Sequence, residues 1–286
     1  MDFSGKLSKI YKKLVWRLRI LTAGNRVLPN FLIIGGAKCG TTSLYGYLVQ
    51  HPNIMALYDN RKEINYLDRK LSKGLNWYKG HFPARNEIKE LENHLGCKVL
   101  VGEATTSYIY HPNAPQLVKE LMPDVKIIAV LRNPIDRAYS QYHHEFRKQR
   151  EQLTFEEAID MEPRRLDGEY EKIIADKYYH SEERHDHSYL DRGKYAEQLD
   201  RWFQYFPRER FLILKSEDLF QNPAPIYKKV LDFLGLPDYK EVCFKKLNAG
   251  KYTDMSSELR ARLAAYFSAS NQKLYQLLGT DFGWDG

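Results

Sequence analysis

Residues 35–43 have the composition of an anion-binding loop. The order is glycine, glycine, alanine, lysine, cysteine and glycine, followed by the three hydroxyl residues Thr41, Thr42 and Ser43. Small residues let backbone N–H groups approach an anion closely, and Lys38 adds a positive charge that can lie beside a leaving-group oxygen. The loop follows an apolar run at 31–34 and precedes a helix predicted at 41–50, whose positive dipole end attracts anions. A tight turn with a surface lysine is the alternative interpretation.

The loop differs from the Walker A motif of ATP-binding proteins. That motif places lysine directly after its last glycine, whereas Lys38 precedes Gly40. The sequence also lacks a clear apolar strand ending in aspartate, which would supply a second metal ligand. We therefore expect the loop to hold a 5′-phosphorylated group without the magnesium geometry of an ATPase.

A second candidate phosphate site lies at 125–147. A strand predicted at 125–131 delivers Arg132 to its carboxyl end, where ligands bind in open α/β sheets. Asn133 is a good N-cap and Pro134 suits the first helical position, so a helix should start there. Helical spacing then places Ser140 and His144 on one face. Helix capping with a surface ion pair is the alternative function of these residues.

Alternating strands and helices must position these residues. We predict strands at 31–34, 98–102, 125–131 and 211–215, and helices at 41–50, 114–122, 134–150, 195–205, 223–234 and 256–278. This alternation predicts a single α/β domain with a doubly wound parallel sheet flanked by helices. In the last helix, the residues expected to face the core are Leu259, Leu263, Tyr266 and Phe267.

The two phosphate-binding segments resemble those of the sulfotransferase superfamily, in its heparan-sulfate-type and bacterial branch. Its members often carry a Lys-x-Gly-Thr-Thr/Ser loop and a later Arg-Asn/Asp-Pro…Arg-Ala-x-Ser element, and this sequence has both, in the expected order. The resemblance implies a P-loop-like fold and the donor 3′-phosphoadenosine 5′-phosphosulfate (PAPS), with 3′,5′-adenosine bisphosphate (PAP) as product. It assigns the 5′-phosphosulfate to Lys38, Cys39, Gly40, Thr41, Thr42 and Ser43. It assigns the 3′-phosphate to Arg132 and Ser140, and a covering loop at 247–252 adds Lys251 and Tyr252.

Sulfuryl transfer needs charge stabilisation at the leaving oxygen and a base near the acceptor. Lys38 suits the first role. For the base, the segment 61–67 resembles the Lys-Glu-x-x-Phe/Tyr stretch of glycosaminoglycan sulfotransferases, which implies Glu63. His144 is the second candidate, since imidazole titrates near neutral pH. The in-line transfer needs no metal in principle, and we expect none.

The acceptor is a small molecule or a carbohydrate that offers a hydroxyl or an amine. Two departures from the heparan-modifying enzymes leave both open: Ala104 stands where those enzymes tend to have lysine, and the paired cysteines of their late loop are missing. Two other functions compete with sulfuryl transfer. They are a phosphoryl-transferring nucleotide kinase and a catalytically silent, membrane-docked nucleotide-binding module.

Residues 1–28 differ from residues 29–286 in net charge. Residues 1–28 contain seven basic side chains and one acidic one, in a chain whose net charge is +7. The remainder is thus nearly neutral, which argues against nucleic acid as a partner. The sequence predicts that the N-terminal segment is a basic amphipathic helix. This helix either lies on an anionic membrane or packs on its own domain. We expect residues 29–286 to form the sulfotransferase domain.

We predict that residues 145–192 form a charged, helical excursion, because this stretch is rich in charge and lacks strand signals. It either covers the substrate or is a solvated insertion. A zinc site is not expected, because its histidines (His180, His185 and His187) have no cysteine or clear fourth ligand beside them.

Cys39, Cys97 and Cys243 are too scattered for a disulfide framework. We therefore predict a cytoplasmic protein, with peripheral membrane contact through 1–28 as one interpretation, and the sequence leaves the oligomeric state open.

Overall fold

A parallel five-stranded β-sheet forms the centre of the protein. The computed structural model describes residues 3–245 and 253–284. The strands are β1 (Phe31–Gly35), β2 (Ile54–Met55), β3 (Leu100–Ala104), β4 (Lys126–Leu131) and β5 (Phe211–Lys215), arranged in the order β2-β3-β1-β4-β5. This arrangement confirms the predicted single α/β domain with a doubly wound parallel sheet.

Helices cover both faces of the sheet. They are α1 (Phe3–Leu21), α2 (Thr41–Leu48), α3 (Tyr66–Arg69), α4 (Leu75–Lys79), α5 (Arg85–Leu95), α6 (Ala114–Leu121), α7 (Pro134–Arg147), α8 (Phe155–Leu166), α9 (Glu169–Ala175), α10 (Glu182–Asp186), α11 (Tyr195–Phe203), α12 (Ser216–Gln221), α13 (Pro223–Leu234) and α14 (Ser257–Leu278). Short 3-10 helices occur at Ala23–Asn25, Tyr58–Asn60, Leu71–Lys73, Thr106–Ile109, Asp191–Gly193 and Arg208–Arg210.

The alternation of side chains along each strand divides the core into two layers. In β1, Leu32 and Ile34 pack into the layer that contains α6 and α11, while Phe31 and Ile33 pack into the layer that contains α2 and α13. All five residues of β1 are buried. A strand covered on both faces needs a continuous apolar run, which is why this strand was visible in the sequence.

Three details of the prediction were wrong. The strand expected at 98–102 runs over Leu100–Ala104, so Glu103 lies within it. The edge strand β2 was not predicted, because its two residues, paired with Leu100 and Val101, are too few to show a periodic pattern. Tyr266 is exposed, because the buried stripe of α14 runs through Leu263 and Phe267 and leaves Tyr266 at its edge.

The carboxyl ends of β1, β3 and β4 lie side by side. β1 pairs with β3 on one side and with β4 on the other, in parallel register. Ligands in open α/β sheets bind outside the carboxyl ends of the strands, at the point where the strand order reverses. The loop that follows β1 and the residues that follow β3 and β4 therefore surround one crevice.

The segment 145–192 is largely helical and packs against the domain. Its buried carboxylate Glu162 accepts hydrogen bonds from the backbone N–H groups of Leu190 and Asp191, at 2.7 and 2.8 Å. Arg165 forms an ion pair of 2.6 Å with the buried Glu151. A merely solvated insertion would not contain such buried, paired charges.

Candidate active site

A cleft of about 600 Å³ opens at the carboxyl ends of the central strands. Its lining includes six basic side chains: Lys38, Lys62, Arg132, Lys148, Arg150 and Arg192. The carboxylates that line the described part of the cleft are Glu63 and Glu145. Such an excess of positive charge suits a ligand that carries several negative charges.

The loop after β1 forms the floor of the cleft. Lys38 adopts a left-handed backbone conformation, with φ at 71°, and Gly40 follows at φ 88°, where glycine is favoured because it lacks a Cβ atom. The Cys39 N–H donates to the Gly36 carbonyl at 3.2 Å and tightens the turn. Helix α2 begins at Thr41, so its first N–H groups and the hydroxyls of Thr41 and Thr42 lie beside the cleft.

Two predicted donor ligands have side chains in the core. Cys39 is buried away from the cleft, and this burial raises the pKa of its thiol to about 11. Ser43 is also buried, in hydrogen-bonding contact with Tyr47. The sequence pattern could not show this, because successive residues at a helix start point in different directions. Of these two residues, only the backbone groups are therefore available to bind an anion in the loop.

The second phosphate element meets the loop in the same cleft. Arg132 follows β4, and its Nη1 donates to the Lys38 carbonyl at 3.3 Å. Asn133 caps α7, because its Oδ1 accepts from the Ile135 N–H at 3.0 Å. Ser140, on the second turn of α7, also lines the cleft. The structure thus places Ser140 in the same cleft as Lys38 and Arg132, two residues that lie 94 positions apart in the sequence.

Lys62 is a cleft residue that the sequence reasoning did not assign. Its amino group donates to the Thr42 hydroxyl at 2.8 Å and forms an ion pair with the Glu63 carboxylate at 2.7 Å. Lys62 therefore connects the phosphate loop to the candidate base. Its position directly before Glu63 was the available signal, but only the fold shows that it reaches Thr42.

A buried carboxylate on β3 holds the Glu63 segment. Glu103 accepts hydrogen bonds from Tyr78, Thr105 and Tyr108 at 2.5, 2.6 and 2.9 Å. The Tyr108 hydroxyl in turn accepts from the Tyr66 N–H at 3.0 Å. Burial raises the pKa of Glu103 to about 7, while the three hydroxyl donors act against this rise. The network fixes the backbone just after Glu63.

His144 lines the cleft near Lys38, on the same face of α7 as Ser140. Burial, together with the positive charges of Lys38 and Lys148, lowers the pKa of His144 to about 4. The imidazole is therefore neutral at pH 7, but an imidazole with so low a pKa is a weak proton acceptor.

The histidines of the 145–192 segment take part in ion pairs. Glu182, His185 and Asp186 are close enough to share a metal ion, with ligand atoms within 4.8 Å of one another. Each is already paired, however. Glu182 contacts Arg69 at 3.3 Å, and Asp186 contacts both His185 at 2.5 Å and Arg150 at 3.1 Å. Arginine in these positions competes with a cation, which favours an ion-pair network.

The remaining predicted ligands, Lys251 and Tyr252, lie outside the described residues. The prediction that they cover the nucleotide therefore stays a prediction.

Comparison with known proteins identifies the family. The sequence model of the sulfotransferase domain matches residues 28–272. A membrane-associated sulfotransferase, kil1 of Dictyostelium discoideum, is 31% identical over an alignment that covers 90% of this chain and 66% of that protein. Heparan sulfate glucosamine 3-O-sulfotransferase 6 of Mus musculus is 30% identical, with 92% of this chain and 75% of that protein covered.

Two further relatives extend the comparison. The bifunctional heparan sulfate N-deacetylase/N-sulfotransferase 3 of Homo sapiens is 31% identical across 88% of this chain, which spans only 30% of that protein. The crystal structure of a sulfotransferase from Alicyclobacillus acidocaldarius superposes with a TM-score of 0.68 at 30% identity, covering 91% of this chain and all of that one. The chain therefore belongs to the sulfotransferase family of enzymes, in the branch that includes the heparan sulfate sulfotransferases and this bacterial enzyme.

Proposed function

We propose that the protein transfers a sulfuryl group from PAPS to a hydroxyl or amine of a carbohydrate acceptor. The observation that carries this proposal is the meeting of two anion-binding elements in one cleft. Arg132 hydrogen-bonds the backbone of Lys38, and Ser140 lines the same cleft. A donor with a 5′-phosphosulfate and a 3′-phosphate matches two such elements, whereas ATP has no 3′-phosphate to use the second.

In the proposed reaction the acceptor attacks sulfur in line with the departing phosphate. A new S–O or S–N bond forms as the bond between sulfur and the bridging oxygen breaks, and its electron pair leaves with the phosphate. Lys38 stabilises the charge that develops on that oxygen. Glu63 accepts the proton of the acceptor. Lys62 donates a hydrogen bond to Thr42 and forms an ion pair with Glu63, so it keeps the donor-binding loop and the base in fixed relative positions.

The local charge of the cleft supports an anionic carbohydrate as the acceptor. The net charge of residues 29–286 is near neutral, but a net charge does not report how charged side chains are distributed over the surface. Lys148, Arg150 and Arg192 line the cleft in addition to the residues assigned to the donor. The names of the relatives cited above also point to heparan sulfate, with both O- and N-sulfation represented.

An assay with labelled PAPS and a panel of acceptors tests the function. The panel contains heparan-type oligosaccharides, neutral sugars, phenols and amines, and mass spectrometry identifies the products. We expect sulfated product from an anionic oligosaccharide. Product from phenols or neutral small molecules alone would contradict the carbohydrate assignment. Phosphorylation with ATP instead would establish the kinase interpretation.

Replacing Arg132 by alanine is expected to weaken PAP binding by about ten- to a hundredfold, the usual contribution of charge-assisted hydrogen bonds to a phosphate. Isothermal titration calorimetry measures the effect. Adenosine 5′-monophosphate, which lacks the 3′-phosphate, is the matched control ligand, and its affinity should change little. An equal loss for both nucleotides would contradict the assignment of Arg132 to the 3′-phosphate.

The cysteines support a reducing compartment, and we propose the cytoplasm. Cys39 is buried, Cys97 and Cys243 are exposed, and all three are free thiols in the structure. Exposed free thiols are more typical of intracellular proteins than of oxidising environments.

A further inference from the structure

Helix α1 presents an apolar stripe to solvent. The exposed fractions are 56% for Ile10, 53% for Leu14, 59% for Leu18 and 80% for Leu21. Spacings of four and three residues place these side chains on one face of the helix. Four large aliphatic side chains in a row form a patch that water solvates poorly, and such patches mark interaction surfaces.

The opposite face of α1 is attached to the domain. The Trp16 ring lies 4.5 Å from that of His81 and 6.1 Å from that of Trp77, measured between ring centroids. Arg19 donates to the carbonyls of Gly80 and Phe82, both at 2.8 Å. These contacts fix the rotation of the helix about its axis. The stripe therefore points away from the domain, and its exposure is a feature of the fold.

Positive charge accompanies the stripe. Lys13 and Arg17 are exposed, and their spacing of four residues puts them along one edge of it. The whole segment 1–28 contains seven basic residues and a single acidic one. Among the described residues, no helix has the length and apolar character to cross a bilayer. An apolar stripe with a basic edge complements a surface that is apolar below and negatively charged above, which describes an anionic bilayer.

We propose that α1 docks the enzyme on an anionic lipid bilayer, with Ile10, Leu14, Leu18 and Leu21 buried in the interface and with Lys13 and Arg17 at the level of the lipid phosphates. This inference goes beyond the proposed reaction, because it concerns the surface on which the enzyme works. It does not depend on the identity of the acceptor.

Vesicle flotation of the full chain tests the proposal. We compare vesicles of phosphatidylcholine alone with vesicles that also contain phosphatidylserine. The wild-type protein should float with the anionic vesicles and less so at high salt. The double variant Leu14→Glu/Leu18→Glu should lose at least about tenfold in vesicle affinity, because two apolar side chains no longer enter the interface. Charge reversal by Lys13→Glu/Arg17→Glu should cause a similar loss, of about tenfold or more.

The control variant is Ile174→Glu, which changes an equally exposed aliphatic residue outside α1. It should bind vesicles as the wild-type protein does. All variants should keep wild-type turnover and melting temperature without vesicles, which separates docking from folding. Unchanged vesicle binding by the Leu14/Leu18 variant would overturn the proposal. So would a wild-type dimer that the same variant converts to monomer, because a second copy of the chain would then cover the stripe.

Discussion

Replacing Lys38 with alanine is expected to lower the rate of sulfuryl transfer by about 10³-fold or more, the upper range for loss of one group that stabilises developing charge. Lys38 projects from the loop after β1 into the cleft that also contains Thr41 and Thr42. The bridging oxygen gains negative charge as its bond to sulfur breaks. A cation fixed there stabilises the transition state more than the ground state, so its removal should act mainly on kcat. Steady-state kinetics with saturating PAPS measures the effect.

The charge state of Lys38 adds a pH dependence to this prediction. Burial lowers the pKa of its amino group, and the neighbouring positive charges of Arg147 and Arg132 lower it further. Only the protonated amine stabilises the leaving oxygen. Activity should therefore fall as the pH rises through this lowered pKa. Because guanidinium stays protonated over the whole range, Lys38→Arg should move the alkaline limb to higher pH in any protein that remains active.

Lys148→Ala is the matched control for Lys38→Ala. It removes a lysine that lines the same cleft but lies beyond the end of α7. Its effect on kcat with saturating donor should be much smaller. Calorimetry with PAP shows whether each variant still binds nucleotide. If Lys38→Ala kept wild-type kcat and lost only donor affinity, Lys38 would be a binding residue and its role at the leaving group would be refuted.

The elements that could be predicted from the sequence are those with strong local signals. β5 and α13 have the predicted bounds, Phe211–Lys215 and Pro223–Leu234. The first is an apolar run, and the second starts at a proline and ends before Gly235. The positions of Arg132 after β4 and of Ser140 on α7 were also predictable, because an N-cap followed by a proline marks where a helix begins after a buried strand.

Contacts between distant segments could not be predicted. Lys62 reaches Thr42, and Tyr78 reaches Glu103, only because the chain between them returns to the same edge of the sheet. Such long-range contacts leave no periodic pattern in the sequence. Glu103 also lies where the sequence pattern predicts the end of a strand. A buried carboxylate is unfavourable there unless it is hydrogen-bonded, and of its three hydroxyl partners Tyr78 comes from a segment that only the fold brings near. The sequence thus located segments that line the cleft but did not show what holds one of them in place.

Replacing Glu63 by glutamine is expected to lower kcat by about 10²-fold or more while leaving PAP affinity near that of the wild type, the usual scale for a positioned general base. Glutamine keeps the shape of the side chain but cannot accept the acceptor's proton. The Glu103 network should hold the Glu63 segment in both proteins, since its hydrogen bonds reach the backbone at Tyr66 and not the Glu63 carboxylate. Single-turnover kinetics together with PAP calorimetry measure both quantities.

The decisive comparison is between Glu63 and His144. With a pKa lowered to about 4, His144 is a poor proton acceptor, so His144→Gln should reduce kcat far less than Glu63→Gln does. Glu145→Gln supplies the matched carboxylate control, because Glu145 lines the same cleft but pairs with Arg150. A larger loss for His144→Gln than for Glu63→Gln would make the histidine the base. Equal losses for the two glutamate variants would mean that Glu63 acts only through the charge of the cleft.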